Sequence, residues 1–490
     1  THSRCTLGGM IGNNACGSHS VIWGTTAQNI LGLDVIRSDG TKVRLTSPDA
    51  PARPADPAWP GLDGPLAYEL RAFTADHEEL IRSELPSWPR RVSGYALDWL
   101  LPERGPDHAK ALVGTEGTCA VVARAVVRLV RPPAARALLV LGFDDDIRGA
   151  DAVPALLTAE PFTVESLSAE LLSLAHAEAA DVGLPAGGAW LMVEARADDP
   201  AGARAHAESL AAAIGRTLDA PDVRFIDDPQ ALAALWRIRE DGAGHSARFA
   251  DGTKGWPGFE DSAVPPERLG AYLKDLRGLL AEHEMQAISY GHYGEGCLHL
   301  RVGFGLDAPD GPQRYERFVS DAADLVVRHG GSLSGEHGDG RSRGPLLERQ
   351  FSPQLIEAFA AFRRTWDPSG RLNPRVIVDP PPLTADLRAA APTRLPIATQ
   401  QAFSEDGGDF RSAVERCIGV GRCVSTQGVA QMCPSYRATR DEQHSTRGRA
   451  RLLQEMIVGD LADVGWRSTE VRDALDLCLS CRGCVSECPT

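Results

Sequence analysis

The sequence lacks any apolar run long enough to cross a bilayer. Its long apolar stretches, such as ALLVLGF at residues 137–143, fall far short of the ~20 residues that a membrane helix requires. Positive charge is also scarce, because 51 Lys and Arg face 66 Asp and Glu, for a formal net charge of −15. Such a surface repels a nucleic-acid backbone. We therefore expect a cytoplasmic protein without a transmembrane segment that binds no nucleic acid, and peripheral docking to the inner face of the membrane stays open.

Several common signatures are missing as well. The sequence contains no Walker-type phosphate loop, no His-Glu-x-x-His motif and no internal repeat with a period of about 20–50 residues. The 490 residues suffice for about three domains. Because the chain begins at Thr1 rather than at Met and stops at Thr490 directly after Cys-Pro, we expect a piece of a longer polypeptide.

The pattern of strands and helices predicts an α+β chain. Residues 5–32 are rich in Gly and Asn, which suits close approach of the backbone to a ligand, and a hairpin signal follows at Asp39-Gly40. Further on, strand-like runs alternate with Ala- and Leu-rich helical stretches, as expected for helices that cover an antiparallel sheet. The predicted parts are residues 1–133, a first α+β unit; 134–378, the antiparallel-sheet unit; 379–400, a semi-rigid linker rich in Pro and Ala; and 401–490, a small helical module rich in cysteine.

Seven of the 11 cysteines lie between Cys417 and Cys488. This clustering indicates metal ligation in a reducing compartment rather than a disulfide framework. The last four follow the pattern C-x2-C-x2-C-x3-C-P, in which three thiolates bind one iron–sulfur cluster and the fourth typically ligates a second one. A zinc knuckle or buried free thiols are the alternative. The four residues are Cys478, Cys481, Cys484 and Cys488.

An upstream group completes the cysteine module. It consists of Cys417, Cys423 and Cys433, and Pro434 follows the last of them. If the two Cys-Pro cysteines cross over, Cys433 joins the first three cysteines of the downstream motif in a four-thiolate site for a [4Fe-4S] cluster. A three-thiolate site is then left for a second cluster, with a three-iron core or a ligand other than cysteine as open alternatives. Either way the module transfers single electrons.

Two histidines lie close together in the segment SYGHYGEGCLHLRVGF, residues 289–304. The segment alternates like a β-hairpin around a Gly-Glu-Gly turn, which can bring His292 and His299 onto one face. Glu336, beside His337 in another glycine-flanked turn, offers a third ligand. Two imidazoles and a carboxylate suit Zn²⁺, Mn²⁺ or Fe²⁺ and leave positions open for substrate oxygens. Taken alone, a histidine pair on a strand is more often structural.

Five motifs occur together in one order: GGMIGNNACGS with WGTTAQNILGLDVI, then VGTEGT, GHYGEGCLHLRV, GEHGDG and DPSGRLNP. In this order they resemble the sequence marks of FAD-linked D-2-hydroxy acid dehydrogenases of the vanillyl-alcohol-oxidase type, which include D-lactate, D-2-hydroxyglutarate and glycolate dehydrogenases. The cysteine module after them is similar to the iron–sulfur domain of bacterial fusions of such flavoproteins. The resemblance implies that residues 1–133 are the second half of a bipartite FAD domain, with the upstream half outside this sequence, and that 134–378 form a substrate cap.

The resemblance also implies roles for individual residues. His292, His299 and Glu336 match the family's divalent-metal triad, for which zinc is favoured. The metal would hold the carboxylate and 2-hydroxyl of the substrate, His337 would take the hydroxyl proton, and the C2 hydride would pass to the flavin. A role for His337 in orienting a metal ligand is the alternative. Arg239 matches an arginine that binds the substrate carboxylate. Residues that match the FAD-binding segments are Gly8, Gly9, Asn14, Ala15, Gly17, Gly24, Thr25, Glu116 and Asn373.

The chain departs from the family pattern where the substrate would be recognised. Arg301 stands two residues past the second metal-binding histidine, where the family often has Asn. The hydroxyglutarate enzymes carry a Thr and a Lys for the distal carboxylate, but here Ala243 replaces the Thr and Lys254 lies only near the position of the Lys. Lys254 stays a candidate for substrate binding, and Arg301 could supply the second positive charge. The identity of the hydroxy acid therefore stays open.

These features predict an FAD and iron–sulfur dehydrogenase that oxidises a D-2-hydroxy acid, D-lactate or D-2-hydroxyglutarate, to the 2-oxo acid. Its electrons would leave through the clusters to an acceptor such as a quinone, a cytochrome or an electron-transfer protein. An electron-transfer subunit with no hydroxy-acid activity is the main alternative. A metal-dependent hydrolase is a weaker one, because it leaves the cysteines unexplained. The chain could also assemble as a homo-oligomer.

Overall fold

A computed structural model describes residues 5–85, 88–215, 222–226, 228–395, 397–425 and 432–490. Helices and two antiparallel sheets make up this part of the chain, so the α+β prediction is confirmed. Within it, no helix combines the length and the apolar composition that are needed to span a bilayer.

The first sheet lies in the N-terminal unit and has, among the described residues, three strands in the order β2-β1-β3. Strands β1 (Ile30–Ile36) and β2 (Lys42–Thr46) form the hairpin predicted at Asp39-Gly40. Gly40 takes a φ of +84°, a conformation that favours glycine. Strand β3 (Val121–Val127) pairs with the other edge of β1.

The second sheet forms the centre of the cap unit, and its described strands follow the order β7-β4-β6-β5-β9-β10-β8. The strands are β4 (Ala135–Phe143), β5 (Thr163–Ser168), β6 (Ala189–Ala197), β7 (Asp222–Ile226), β8 (Ser262–Ala263), β9 (Ala287–His292) and β10 (Cys297–Val302). Alternate residues of β4 belong to two different apolar clusters, with Leu139 and Leu141 in one and Leu138 and Val140 in the other. Both faces of β4 are therefore buried, which explains its uninterrupted apolar sequence.

Helices cover these sheets and connect the units. The described helices of eight or more residues are Gly64–Glu84, Asp146–Leu157, Pro200–Ile214, Pro229–Glu240, Leu269–Glu282, Gly311–Arg328, Pro353–Trp366, Thr446–Val458 and Thr469–Asp476. Helix Pro353–Trp366 packs on helix Gly64–Glu84, and the ring centroids of Phe362 and Phe73 lie 5.7 Å apart. The end of the cap unit thereby returns to the N-terminal unit.

Strands β9 and β10 form the predicted histidine hairpin. A single turn of 3-10 helix, Tyr293–Glu295, and Gly296 with a φ of +69° connect them. The register pairs His299 with Tyr290, whereas His292 is the last residue of β9. Both histidines therefore lie at the turn end of the hairpin.

The cysteine module contacts the rest of the chain through its approach segment and through ion pairs. In the segment predicted as a linker, Leu395 N donates to Ile457 O at 3.1 Å. The module also docks on the cap, because Arg422 pairs with Asp241. The second half of the predicted linker is thus bonded to the module rather than extended in solvent.

Candidate active site

A buried aspartate holds the loop that contains the GEHGDG motif. Asp261 Oδ2 accepts hydrogen bonds from Ser334 Oγ at 2.7 Å and from the N–H groups of Gly335 at 3.2 Å, Glu336 at 3.1 Å and His337 at 2.7 Å. Successive N–H groups that surround one anionic oxygen form a rigid turn. This turn fixes the backbone of Glu336 and His337.

Three imidazoles converge on one oxygen of Glu336. The Nε2 atoms of His299, His292 and His337 lie 3.1, 3.3 and 3.4 Å from Glu336 Oε1. The rings of His299 and His337 are stacked with centroids 5.2 Å apart, and His292 meets His299 edge-on at 5.1 Å. The structure therefore brings the predicted triad together and adds His337 to it.

The other ring nitrogen of each histidine has its own acceptor. His292 Nδ1 lies 2.8 Å from Glu165 Oε1, and His337 Nδ1 lies 2.8 Å from Glu260 Oε1. His299 Nδ1 lies 3.2 Å from the backbone oxygen of Glu260. An acceptor at Nδ1 keeps the proton on that nitrogen, so the lone pair of Nε2 is free to bind a metal ion. All three Nε2 atoms face the same point.

The donor atoms fit a divalent metal ion. One ligand atom each from Asp261, His299, Glu336 and His337 lies within 4.8 Å of the others, and in the described part of the chain no other such group is present. His292 Nε2 is a further donor at the same point. Imidazole nitrogens and carboxylate oxygens are the ligands that Zn²⁺, Mn²⁺ and Fe²⁺ accept.

Nearby carboxylates raise the proton affinity of these imidazoles. Burial opposes protonation of His292, but Glu165 and Glu336 outweigh burial and raise its pKa to about 9. Partial desolvation likewise opposes protonation of His337, whereas Asp261 and other nearby carboxylates raise its pKa well above the usual value. A divalent cation would balance the same negative charge and would displace these protons.

Arg90 connects the metal-site carboxylate to the glycine-rich segment. Its buried guanidinium contacts Glu336 Oε2 at 3.3 Å, Glu295 Oε2 at 2.7 Å and Gly17 O at 3.1 Å. The two carboxylates satisfy a charge that would otherwise be costly to bury. One oxygen of Glu336 therefore faces the imidazoles while the other is held by Arg90.

The two predicted substrate arginines lie near Tyr290. Arg239 donates to Glu165 Oε2 at 2.6 Å, and its guanidinium carbon lies 5.1 Å from the centre of the Tyr290 ring. Arg301 is 9 % exposed, and its Nη1 has no hydrogen-bond partner among the described residues. Burial raises the pKa of Tyr290, and the charges of Arg301 and Arg239 oppose that rise. A buried guanidinium nitrogen without a partner marks a place that suits an anionic ligand.

Lys254 is engaged by the cysteine module. Its Nζ lies 2.5 Å from Glu415 Oε2, and Arg411 Nε lies 2.7 Å from the other oxygen of the same carboxylate. The side chain of Glu415 is 2 % exposed, so the pair is largely shielded from solvent. Lys254 thus contributes to docking of the cysteine module, and its ammonium group is occupied by Glu415.

Glu116 and Asn373 lie beside the loop of the GEHGDG motif, which contains Glu336 and His337. Glu116 Oε1 accepts from Asp339 N at 2.7 Å, and Asn373 Nδ2 donates to the backbone oxygen of Glu116 at 2.7 Å. Burial and the charge of Asp339 raise the pKa of Glu116 to about 7. Asn13 Nδ2 donates to His337 O at 2.8 Å. The predicted flavin-side segments therefore contact the loop of the GEHGDG motif.

The glycine-rich segment leaves open backbone next to this junction. It begins with the helix Leu7–Asn13, and a Cβ added at Gly8, or at Gly17 beyond the helix, would meet no other atom within 4 Å. Asn14 stabilises the segment, because its Oδ1 accepts from Ala27 N at 2.8 Å. Backbone without side chains suits a cofactor that must approach closely, so the segment fits FAD. The remaining predicted FAD residues of the segment are Gly9, Ala15, Gly24 and Thr25.

The downstream cysteines are grouped with one upstream cysteine. Burial raises the pKa of the Cys484 thiol, and the charges of Cys433, Cys481 and Cys478 raise it further. Cys478, Cys481 and Cys484 are exposed, whereas Cys433 is buried. Cys433 thus lies near the downstream motif, and the assignment of the individual cysteines to clusters stays a prediction.

The remaining three cysteines lie close to Cys433 and to one another. Burial raises the pKa of the Cys417 thiol, and the charge of Cys488 adds to the rise. Cys423 belongs to the same apolar cluster as Cys433, with Cys488 packed against it, so the two groups adjoin. Pro489 contacts the cap, since a Cβ at Gly244 would lie 2.7 Å from its Cγ. The three-cysteine group is therefore next to the cap.

The N-terminus of helix Thr446–Val458 points at both groups. Thr446 N lies 3.0 Å from Cys433 Sγ, and Arg447 N lies 3.4 Å from Cys423 Sγ. Backbone N–H groups at a helix N-terminus stabilise thiolates, and such hydrogen bonds also influence the potential of an iron–sulfur cluster. These cysteines therefore fit the ligation of iron–sulfur clusters.

Sequence reasoning missed the residues that surround the imidazoles. Glu165, Glu260, Asp261 and Arg90 lie far from the histidine hairpin in sequence and belong to no motif. One signal was available for Glu165, because it is a charged residue inside the short strand β5, where it is 1 % exposed. A buried charge in a strand requires a partner.

Comparison with known proteins agrees with this organisation. Residues 1–46 match the model of an FAD binding domain, and residues 413–490 match a 4Fe-4S dicluster domain. The chain is 28 % identical over 537 residues to D-2-hydroxyglutarate dehydrogenase of Pseudomonas putida, and the match covers 100 % of this chain and 53 % of the relative. The corresponding enzyme of Escherichia coli is 26 % identical over 554 residues, with 100 % and 53 % covered.

A shorter relative is the glycolate oxidase subunit GlcD of Bacillus subtilis, which is 25 % identical over 372 residues, with 75 % of this chain and 67 % of the relative covered. The chain spans about half the length of the D-2-hydroxyglutarate dehydrogenases that it matches. Residues 132–377, half of the chain, match the model described as FAD linked oxidases, C-terminal domain. The resemblance expected from the motifs is thus confirmed, and the chain belongs to the family of FAD-linked oxidases.

Proposed function

We propose that this chain is the catalytic and electron-transferring part of an FAD-dependent D-2-hydroxy acid dehydrogenase. The observation that carries the proposal is the convergence of three imidazoles on Glu336 beside the flavin-side segments, with Asn13 Nδ2 bonded to His337 O at 2.8 Å. That arrangement suits a substrate whose carboxylate and 2-hydroxyl bind at one metal ion next to a flavin. The reaction would oxidise the 2-hydroxy acid to the 2-oxo acid.

His292, His299 and Glu336 would hold the divalent ion, and zinc is the ion we favour. Asp261 would stay outside the metal ligands, because its Oδ2 already accepts four hydrogen bonds from the loop. When bound, the ion supplies Lewis-acid polarisation of the substrate oxygens, and FAD supplies the acceptor for the hydride of C2.

His337 would remove the proton of the 2-hydroxyl through Nε2. Its side chain is 44 % exposed, against 14 % for His292 and 8 % for His299, so it is the imidazole that a substrate reaches most easily. Glu260, 2.8 Å from Nδ1, would stabilise the imidazolium that forms. The alternative role, orienting a metal ligand, predicts a loss of metal rather than a change of the pH profile on substitution.

Arg239 and Arg301 would bind the carboxylates of the substrate. Arg301 Nη1 lacks a partner among the described residues, which supports a substrate with a second carboxylate at that position. The relatives named D-2-hydroxyglutarate dehydrogenase favour the same class of substrate. D-2-hydroxyglutarate is therefore the acid we propose first, ahead of D-lactate.

The cysteines would carry the electrons away in two steps. Cys417, Cys423 and Cys488 would hold the cluster next to the cap, a position that Pro489 at Gly244 and Arg422 at Asp241 support. The group with three exposed cysteines would hold a [4Fe-4S] cluster from which an external acceptor, a quinone, a cytochrome or an electron-transfer protein, takes the electrons. Its members are Cys433, Cys478, Cys481 and Cys484.

The test uses the complete reading frame that encodes this chain, expressed and purified anaerobically. Flavin absorbance is recorded on addition of D-2-hydroxyglutarate, D-lactate, L-lactate or glycolate, before and after treatment with a chelator. We expect one D-acid to bleach the flavin, chelation to abolish the bleaching and added metal to restore it. Glu336→Gln should abolish bleaching and metal binding together.

A half-buried histidine outside the site provides the control. His329→Gln, at a residue paired with Asp275 outside the site, should leave bleaching unchanged. If FAD binds and none of the acids bleaches it, the dehydrogenase assignment is wrong and the electron-transfer subunit becomes the better account.

A further inference from the structure

Arg449 has a buried positive charge and an unusual set of partners. It lies in the first turn of helix Thr446–Val458 and is 8 % exposed. Its Nε donates to Ala474 O at 2.7 Å, its Nη2 donates to Ser435 Oγ at 2.9 Å, and its Nη1 lies 3.8 Å from Cys433 Sγ. Among the described residues, no carboxylate forms an ion pair with it.

Neighbouring arginines of the same helix behave differently. Arg447 pairs with Glu442, and Arg451 pairs with Glu455 at 2.9 Å. Both are more exposed than Arg449, with 36 % and 55 % of their side chains accessible. A buried guanidinium requires a compensating negative charge, because neutral acceptors alone do not offset the loss of its hydration. Within the described part of the chain, the sulfur of Cys433 is the one group of suitable chemistry in contact with Arg449.

The same sulfur attracts other donors. Thr446 N and Thr446 Oγ1 both lie 3.0 Å from Cys433 Sγ. Three potential donors around one sulfur favour a thiolate over a thiol. A thiolate that ligates a cluster keeps negative charge in place, so it can balance a fixed cation beside it.

The neutral partners of Arg449 belong to both segments that would ligate this cluster. Ser435 follows Cys433 by two residues, and Ala474 lies in helix Thr469–Asp476, four residues before Cys478. One guanidinium thus connects the segment of the upstream cysteine to the segment of the downstream motif. Its geometry is held by two hydrogen bonds that do not involve the sulfur.

We propose that Arg449 compensates the negative charge of the cluster bound through Cys433 and thereby raises the reduction potential of that cluster. The inference rests on the proposed assignment of Cys433 to a cluster. A fixed positive charge in a buried position favours the reduced, more negative cluster.

The test is a redox titration of the complete protein, followed by electron paramagnetic resonance, with iron content measured in parallel. Arg449→Gln should lower the midpoint potential of one cluster by about 59 mV or more, a tenfold change in a one-electron equilibrium, and should leave the other cluster unchanged. Arg449→Lys should keep most of the wild-type potential. Arg451→Gln, at the exposed arginine of the same helix, is the matched control and should shift neither midpoint.

Each outcome decides the proposal. Unchanged midpoints in Arg449→Gln with normal iron content would overturn it. If Arg449→Gln loses a cluster, Arg449→Lys decides: retention of the cluster supports the need for charge, and its loss means that the shape of the guanidinium matters instead. Cys433→Ser tests the ligand assignment separately from the role of Arg449. Normal signals of both clusters in that variant would refute the assignment of Cys433 as a cluster ligand.

Discussion

Removal of one negative charge at Asp261 should loosen the loop that presents Glu336 and His337, the former a proposed metal ligand. Asp261→Asn keeps the shape of the side chain, and the amide oxygen can occupy the place of Oδ2, where Ser334 Oγ and three N–H groups donate. The amide nitrogen would then face Cys297 Sγ, 3.6 Å from Oδ1. The substitution therefore changes charge while it preserves packing.

The expected fall in the free energy of opening the loop follows from the number of hydrogen-bond donors to Asp261 Oδ2. A hydrogen bond to a charged group contributes about 1.5–3 kcal/mol, against about 0.5–1.5 kcal/mol for a neutral pair, so each bond should lose about 1 kcal/mol. Four donors share one oxygen, and their losses do not add fully. We expect the free energy of opening the loop to fall by about 2–4 kcal/mol, which is a factor of about 30 to 1,000 in the opening equilibrium.

Hydrogen exchange of the loop amides measures this change. Peptides that cover residues 334–337 should exchange faster by that factor in Asp261→Asn, and the metal content should fall in the same variant. Asp251→Asn, at an exposed aspartate that accepts from Thr253 N, is the control and should leave the loop unchanged. Equal protection of the loop in Asp261→Asn and in the native chain would refute the role of Asp261.

Three further predictions concern substrate choice and pH. Arg301→Asn should lower kcat/KM for D-2-hydroxyglutarate at least about tenfold more than for D-lactate, since only the diacid has a second carboxylate to pair with; equal losses would contradict the assignment. In metal-free protein, the stabilisation from protonated His292 is complete below pH ~6.5 and is lost as the pH rises through about 9, so Tm should fall over this range and less so in His292→Asn. Glu116→Gln should raise Tm more at pH 8 than at pH 5, because folding raises the pKa of this carboxyl from 4.5 to about 7 and its cost to stability therefore grows as the pH rises between these values; equal gains at both pH values would argue against the raised pKa.

The histidine hairpin shows how much of the candidate site the local sequence pattern can predict. Alternating residues and a glycine turn predicted β9 and β10, because strand pairing across a short turn depends mainly on neighbouring residues. The same reasoning reached Glu336 and His337 through their glycine-flanked motif. It failed for Glu165 and Glu260, which bond to the histidines only because β5 lies next to β9 in the sheet and the segment before β8 lies next to β10.

Lys254 and Arg301 illustrate the same limit for substrate recognition. Similarity of position suggested Lys254 as a substrate ligand, but its ammonium group is bonded to Glu415 of a module that lies 161 residues away in the sequence. Nothing in the sequence indicated that a guanidinium nitrogen of Arg301 would lack a hydrogen-bond partner. Its partnerless nitrogen is visible only when every neighbouring acceptor is known.

By itself, the sequence determined the chemistry that this protein can perform. Cysteine spacing identified an iron–sulfur module, and five ordered motifs indicated an FAD-linked oxidase, since such signals depend on residue type and short-range spacing. The tertiary structure decided which groups complete the site: Asp261 beneath the loop, Glu165 and Glu260 behind the imidazoles, and Arg449 beside Cys433. These contacts join residues that are distant in sequence, and only the packing of sheets and helices brings their charges within a few ångströms.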